Sequence, residues 1–337
     1  VDLVQSEPVI DLTNVTFLRP FALVYLGMFL RYYNSHGKPF QVLLPTNRKV
    51  RKYLAGQKFW ERFNFDPATV QAERLHAFTA TTSLNDIVDV IKTDTVGEDI
   101  ADDIVKLSRA GVRPVVVHGG GHEISKIMER LGKEPVFVDG LRVTDKETLD
   151  IVAMVLCGKE NLKLTSLVIK KGGKAVGLSG KDGKTIVGKR IEKLGWVGEV
   201  EEVRTELLDV LLERGYIPVI SPIAIDDEGN LLNVNADIAA GMIAKALKAD
   251  KLLILTDVPG ILKVRNNPDS RIHKLRLEEL SQLIQDGTVS EGMIPKLRAV
   301  MQALEGGVKS AHIVNGMEKH SILLELVGEY TGTVITV

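Results

Sequence analysis

The chain has 337 residues, enough for about two domains at roughly 150 residues each. Hydrophobic residues make up 45% and charged residues 26%, a globular balance that argues against a disordered or fibrous chain. Lys+Arg 43 against Asp+Glu 44 leaves a formal charge of -1, so nothing in the composition favours nucleic acid or an anionic membrane as a partner. The single Cys157 rules out an intrachain disulfide and a cysteine-rich metal site, and it fits a reducing, cytoplasmic setting.

Composition also divides the chain. Of the 17 aromatic residues, 13 fall in positions 1–95, whereas 27 of the 30 glycines follow position 95, so two differently built units are expected. The first reads as β-α-β-α: a strand near Pro8–Val15, an apolar helix near Leu18–Asn34, a strand at Phe40–Leu44 and a helix around Val50–Phe59. Its most apolar stretch, Phe21–Leu30, lies between Arg19 and Arg31 and is too short for the roughly 20 residues of a membrane span. It reads as a buried helix and not as a signal peptide. After a polar loop at Thr79–Ser83, Asp86–Lys92 alternates as a strand does and Gly97–Arg109 is amphipathic at helical spacing. From Arg113 the pattern becomes strand, glycine turn, helix. Val115–Val117, Gly215–Ser221 and Lys251–Leu255 are apolar runs expected of strands buried on both faces of a parallel sheet. Helices are expected at Glu123–Leu131, Lys146–Leu156, Asn161–Ile169, Thr205–Arg214 and Ala236–Leu247, giving an α/β unit.

Five short segments carry candidate chemistry. Val117-His118-Gly119-Gly120-Gly121-His122-Glu123 sets three glycines between a strand and a helix start, where backbone N–H groups can converge on a phosphate or carboxylate. The same run also fits a tight turn that merely needs glycine. Gly140-Leu141-Arg142-Val143-Thr144-Asp145 offers an arginine whose planar fork suits a carboxylate, ahead of a helix that Thr144 or Asp145 could cap. A solvated arginine is the plainer account of such a residue alone. In Asn233-Val234-Asn235-Ala236-Asp237, Asn235 can act as the helix cap, which frees Asn233 and Asp237 for other work. Thr256-Asp257-Val258-Pro259-Gly260 follows a buried strand at its carboxyl end, where α/β sheets bind ligands, and Gly292-Met293-Ile294-Pro295-Lys296 places a lysine just after a glycine.

In this order and at these separations the segments from about Ile100 to the closing Gly332-Thr333 resemble the amino acid kinase family, in its branch acting on N-acetyl-L-glutamate. The resemblance implies an αβα sandwich with a mostly parallel sheet. The implied reaction moves the γ-phosphoryl group of ATP to the side-chain carboxylate of N-acetyl-L-glutamate, in arginine biosynthesis. By the same resemblance, Gly119 and Gly120 would offer N–H groups to the reacting oxygens, and Arg142 and Asn233 would hold the substrate's carboxylate end. Lys296 would neutralise charge on the transferred group, and Asp237 would orient the catalytic lysines. Thr256, Asp257, Gly260 and the Ser290-Glu291-Gly292 approach would border the nucleotide. Mg²⁺ would be carried chiefly by the ATP phosphates, and a homo-oligomer is implied. Transfer to a carboxylate needs two anions held in line and no protein nucleophile, so Cys157 and His118 are expected to be framework.

One departure stands out. The family begins its domain with a strand ending in Lys-x-Gly-Gly, but here Val90-Ile91-Lys92 is followed by Thr93-Asp94-Thr95. The letters recur at Lys170-Lys171-Gly172-Gly173, where a helix-ending turn is the expected reading. Residues 1–95 weakly resemble a STAS-like module, with Arg48, Lys49, Arg51 and Lys52 as a partner surface or a solvated helix face. The expected division is therefore 1–95 and 96–337, the second part lacking its usual first strand. Two other functions remain open at this point: an aminoadipate-type carboxylate kinase, and a regulatory fusion that binds nucleotide or amino acid without turnover.

Overall fold

The computed structural model describes residues 9–11, 41–43, 88–94, 97–264, 267–286, 289, 292–327 and 331–337. Two compact units are present. The smaller comprises Val1–Asp86, Arg109–Gly111 and Leu323–Glu329; the larger comprises Ile87–Ser108, Val112–Ile322 and Tyr330–Val337. In the smaller unit, strands β1 (Val9–Asp11) and β2 (Gln41–Leu43) pair in parallel, at the positions where the sequence pattern places its first two strands. The apolar run Phe21–Leu30, the basic cluster at 48–52 and the rest of the STAS-like reading lie outside the described residues.

The division after Asp86 corrects the expected boundary at 95/96. Strand β3 (Val88–Thr93) belongs to the larger unit, whose first strand is therefore present although the glycine pair after it is not. The physical reason is its pairing: β3 is hydrogen-bonded on both sides, and Val90 and Ile91 are fully buried.

In chain order the larger unit continues with α1 (Glu98–Arg109), β4 (Arg113–His118), α2 (Gly121–Arg130) and the hairpin β5 (Phe137–Val138) and β6 (Leu141–Arg142). Then come α3 (Lys146–Ala153), α4 (Asn161–Lys170), β7 (Ala175–Ser179), β8 (Ile186–Arg190), β9 (Gly198–Val203) and α5 (Glu206–Glu213). Strands β10 (Ile217–Ser221), β11 (Ile223–Ile225) and β12 (Leu231–Asn233) lead to α6 (Ala236–Ala246) and β13 (Lys251–Thr256). The chain closes with β14 (Lys274–Arg276), α7 (Leu277–Gln285), α8 (Ile294–Glu305), β15 (Ser310–Asn315), α9 (Ser321–Val327), which from Leu323 onward belongs to the smaller unit, and β16 (Thr333–Thr336).

Eight strands form the main sheet in the order β14-β16-β15-β13-β3-β4-β10-β7, parallel at every step except β15–β16. The apolar runs of β4, β10 and β13 are buried along nearly their whole length, as a sheet covered on both faces demands. Helix α6 covers β3, β4 and β13, and Ala239, Ala240 and Ile243 join Val90, Val117 and Ile254 in one core. Each fully buried Val or Ile side chain there contributes roughly 1.5–3 kcal/mol and each alanine methyl less, and together they fix which face of α6 points down. A second sheet, in the order β12-β11-β8-β9, and the β5–β6 hairpin are additions that the apolar pattern did not announce. Between α3 and α4 the helix does not break at Cys157-Gly158 but runs on as a π-helical segment, Met154–Glu160. At Lys170–Gly173, Gly172 N–H donates to Ile169 O and Gly173 N–H to Val168 O, closing α4 as the helix-ending turn expected.

Candidate active site

Strands β13, β3, β4 and β10 are neighbours, and the carboxyl ends of all four open on one region. Two cavities lie there. The first, of about 200 Å³, is lined by Lys92, Gly119, Gly120, Arg142, Asn233 and Asp237, among others. The second, of about 320 Å³, is lined by Leu255–Val258, Gly292, Met293 and Lys296. Asp94 lines both.

Between them stands a lysine–carboxylate–lysine arrangement. Lys92 Nζ lies 2.9 Å from Asp237 Oδ1, and Lys296 Nζ donates to Asp237 Oδ2 at 3.0 Å. Lys92 is buried to 1% exposure and Asp237 to 7% at the side chain. Burial opposes the charge on Lys92, but Asp237 and Asp94 outweigh it and hold its pKa above the ordinary lysine value. Burial likewise opposes the charge on Asp237, and the two lysines outweigh it, so the carboxyl stays below its usual range. Lys92 and Asp237 therefore face each other as a charged pair at neutral pH.

Local sequence explains how these groups are presented. Asn235 caps α6, accepting from Asp237 N at 2.9 Å and Ile238 N at 3.1 Å, so Asp237 sits in the first helical turn, where its charge favours the helix dipole. Lys296 sits in the first turn of α8 beside Pro295, a residue that the start of a helix tolerates. The two helices approach closely at Gly241, where a Cβ would come within 2.6 Å of Ala299 O. A mid-helix glycine costs about 1 kcal/mol relative to alanine. Here it lets α6 and α8 approach closely behind the Asp237–Lys296 pair, a role that the sequence pattern did not reveal.

The other wall holds Arg142. Its guanidinium donates to Gly121 O and Ser125 Oγ, each at 2.9 Å, and lies 4.7 Å from the Phe137 ring centre across the β5–β6 hairpin. The residue is 7% exposed, and burial pulls its pKa down. None of its contacts is an acid, so the cavity contains a buried cation without a protein counter-ion among the described residues. Such a charge is costly unless an anion arrives. Asn233, at the end of β12, donates to Thr144 Oγ1 at 3.0 Å, and Thr144 Oγ1 donates to Arg142 O at 2.8 Å, which ties the two expected carboxylate-holding residues into one wall. Asp145, not Thr144, caps α3, accepting from Thr148 N at 2.8 Å.

The glycine turn needs a correction. Gly119 N–H donates to Thr93 O at 2.9 Å and so extends the β3–β4 ladder instead of facing a ligand. The N–H of Gly120 and those of the first turn of α2 have no protein acceptor among the described residues. A Cβ on Gly120 would meet Leu156 Cδ2 at 2.8 Å, so the π-helical segment presses against the turn and a larger residue there requires the Leu156 side chain to shift. His118 is framework, as expected. Its Nδ1 bonds Gly119 O at 2.9 Å, Asn161 Nδ2 lies 3.1 Å from its Nε2, and burial lowers its pKa. Burial raises the Cys157 thiol, which keeps it protonated.

Of the residues expected to border a nucleotide, Thr256, Asp257 and Gly292 line the second cavity. Gly260 lines neither; it is a buried turn glycine packed on Thr333, with Ile261 N–H donating to Thr333 Oγ1 at 2.9 Å. Ser290 and Glu291 lie outside the described residues. Among the described residues, no helix is long and apolar enough to cross a membrane.

The chain, a mostly parallel α/β sheet with two cavities at its strand ends, belongs to the amino acid kinase family, whose sequence pattern matches residues 89–315. Acetylglutamate kinase from Methanocaldococcus jannaschii is 53% identical over 250 residues, covering 70% of this chain and 83% of that protein. A solved structure from Streptococcus mutans UA159 has a TM-score of 0.66 at 27% identity, covering 75% of this chain and 99% of that one. Carbamate kinase from Giardia lamblia bound to AMP-PNP has a TM-score of 0.56 at 18% identity, covering 74% and 98%, and shares the fold.

Proposed function

We propose that this chain transfers the γ-phosphoryl group of ATP to the side-chain carboxylate of N-acetyl-L-glutamate, a step of arginine biosynthesis. The observation that carries the reading is Arg142, a buried cation with no acidic contact, in the cavity that ends on Lys92 and Asp237. A substrate with a second carboxylate supplies the missing counter-ion at one end and the nucleophile at the other. Relatives named acetylglutamate kinase at about half identity support the same acceptor.

In this mechanism Arg142 and the Asn233–Thr144 wall bind the α-carboxylate end, and the side-chain carboxylate points to the Lys92–Asp237–Lys296 arrangement. That carboxylate is already ionised at neutral pH, so no general base is required. It attacks the γ-phosphorus while the bond to the β-phosphate oxygen opens in line, and ADP carries away the electron pair. Lys92 and Lys296 stabilise the charge on the equatorial oxygens. Asp237 holds both ammonium groups in place without becoming a metal ligand, since each of its oxygens already faces a lysine. Asp257, which lines the second cavity and not the first, is the acid that would help hold Mg²⁺ carried mainly on phosphate oxygens. When bound, the ion neutralises phosphate charge.

For the leading unit, whose described strands β1 and β2 pair in parallel, we propose a STAS-like module that binds a protein partner. A steady-state assay with ATP, Mg²⁺ and N-acetylglutamate, trapping the acyl phosphate with hydroxylamine, tests the activity. Hydroxamate formation is expected. Its absence together with absent calorimetric binding of N-acetylglutamate would overturn the proposal, and preference for a longer acid would replace the acceptor with an aminoadipate-type one.

A further inference from the structure

Asp94, the residue directly after β3, places an acid at the junction of the two cavities. Asp94 lines both and is ion-paired with Lys92, and its carboxylate lies directly over Gly119, where an added Cβ would collide with it. No other acidic side chain among the described residues is shared by the two cavities: Asp237 lines only the first and Asp257 only the second. The charges at the junction therefore cancel, with Lys92 and Lys296 against Asp237 and Asp94. A neutral site has little attraction for an incoming phosphoryl anion, and a carboxylate resting on the lysine competes with it for the same ammonium group.

We infer that Asp94 is a specificity-determining residue that occupies the position of the terminal phosphoryl group, so that a nucleoside triphosphate binds only by displacing it. This inference rests on the phosphoryl-transfer reading of the same site. The side chain is 51% exposed, so it has a route to solvent, whereas Lys92 at 1% has none. Displacement leaves the junction with one net positive charge, which the γ-phosphate then meets. A diphosphate ends short of the junction and has no need to move Asp94. The resting enzyme therefore favours ADP over ATP more than its lysines alone would dictate.

The test is calorimetric titration of AMP-PNP and of ADP, at one fixed Mg²⁺ concentration, into the whole 337-residue chain and its Asp94→Asn and Asp94→Gly variants. Asp94→Asn keeps the shape and removes the charge, and Asp94→Gly removes both. Asp94→Asn is expected to tighten AMP-PNP about tenfold while moving ADP by less than about twofold, and Asp94→Gly is expected to tighten AMP-PNP at least as much. Equal tightening of both nucleotides, no change in either, or weaker AMP-PNP binding would overturn the inference, the last by showing that Asp94 assists the triphosphate or its metal. A parallel titration with N-acetylglutamate separates the two readings. Nucleotide binding without binding of the acyl amino acid removes the proposed acceptor but leaves the AMP-PNP to ADP contrast decisive for Asp94. Absence of all nucleotide binding removes both.

Discussion

Replacing Arg142 by methionine separates a ligand-binding arginine from a structural one. Methionine keeps an unbranched apolar stem in the space between Met128 and Phe137 and removes the guanidinium. On the binding side, a hydrogen bond to a charged group is worth about 1.5–3 kcal/mol, so N-acetylglutamate should bind about 10- to 150-fold more weakly. On the stability side two effects oppose each other. The variant loses the contact with the Phe137 face, worth about 0.5–1 kcal/mol, and the bonds to Gly121 O and Ser125 Oγ. It also loses the cost of burying a guanidinium that faces no protein acid, which is of similar size or larger. The melting temperature without ligand should therefore stay within a few degrees or rise, and AMP-PNP affinity should not change. Calorimetry with each ligand, beside a thermal melt, reads all three quantities. Unchanged N-acetylglutamate affinity would refute the assignment, and so would a joint fall in both affinities and in melting temperature, because that pattern belongs to an arginine that merely holds the wall together.

Three other outcomes are expected. Gly241→Ala sets a Cβ 2.6 Å from Ala299 O, so α6 must lift from α8; a cost of about 1–3 kcal/mol in denaturant unfolding should accompany a fall in turnover larger than the change in either binding constant. Asp237→Asn leaves Lys92 buried with only the half-exposed Asp94 beside it, and it should cost about 3 kcal/mol or more of stability as well as 10²–10³ in kcat, checked by urea melts and single-turnover rates. Asp103, which accepts a hydrogen bond from His320 at 2.8 Å, has its carboxyl raised by burial from 3.8 to about 6. The folded chain then binds that proton more tightly than the unfolded one, so this contribution to stability is full below about pH 4 and is lost as pH rises through about 6. Asp103→Asn should flatten the fall, which is on the order of 2 kcal/mol, in denaturation series between pH 4 and 7; parallel curves for the two proteins would count against it.

What the sequence could disclose depended on how local each signal was. The runs Val115–Val117 and Lys251–Leu255 read as buried strands because β-branched and aliphatic residues recur without a polar break, and the structure buries them. Asn235 read as a cap because its oxygen needs only the N–H groups two and three residues on. The second sheet left no such trace. Its strand β9, Gly-Glu-Val-Glu-Glu-Val, carries acids at alternate and adjacent positions, and β8 holds a glycine with a register shift beside it. The segment after α3 misled for a related reason: Gly158 suggests an end, but the π-helical turns carry the backbone through it. At the site, Arg142 and Asn233 were legible from their motifs, whereas the Lys92–Asp237 contact joins a strand to a distant helix and only the sheet order reveals it.

That contact also explains why the missing glycine pair need not disable the lysine. Lys92 is placed by strand register and not by the loop that follows it: it stands opposite Val117 on β4 and Ile254 on β13. Side chains alternate along β3, so Lys92 shares a face with Val90, which packs in the core beneath α6, while Ile91 takes the other face. Slipping β3 by one residue would turn Val90 and Lys92 out of that face and leave the Asp237 carboxylate with Lys296 alone, so the register is over-determined from both sides. A change in the 93–95 segment can thus alter what surrounds the ammonium group without moving the group itself. The consequence of the departure falls on local charge, where Asp94 now stands, and nucleotide preference is where it should be measured.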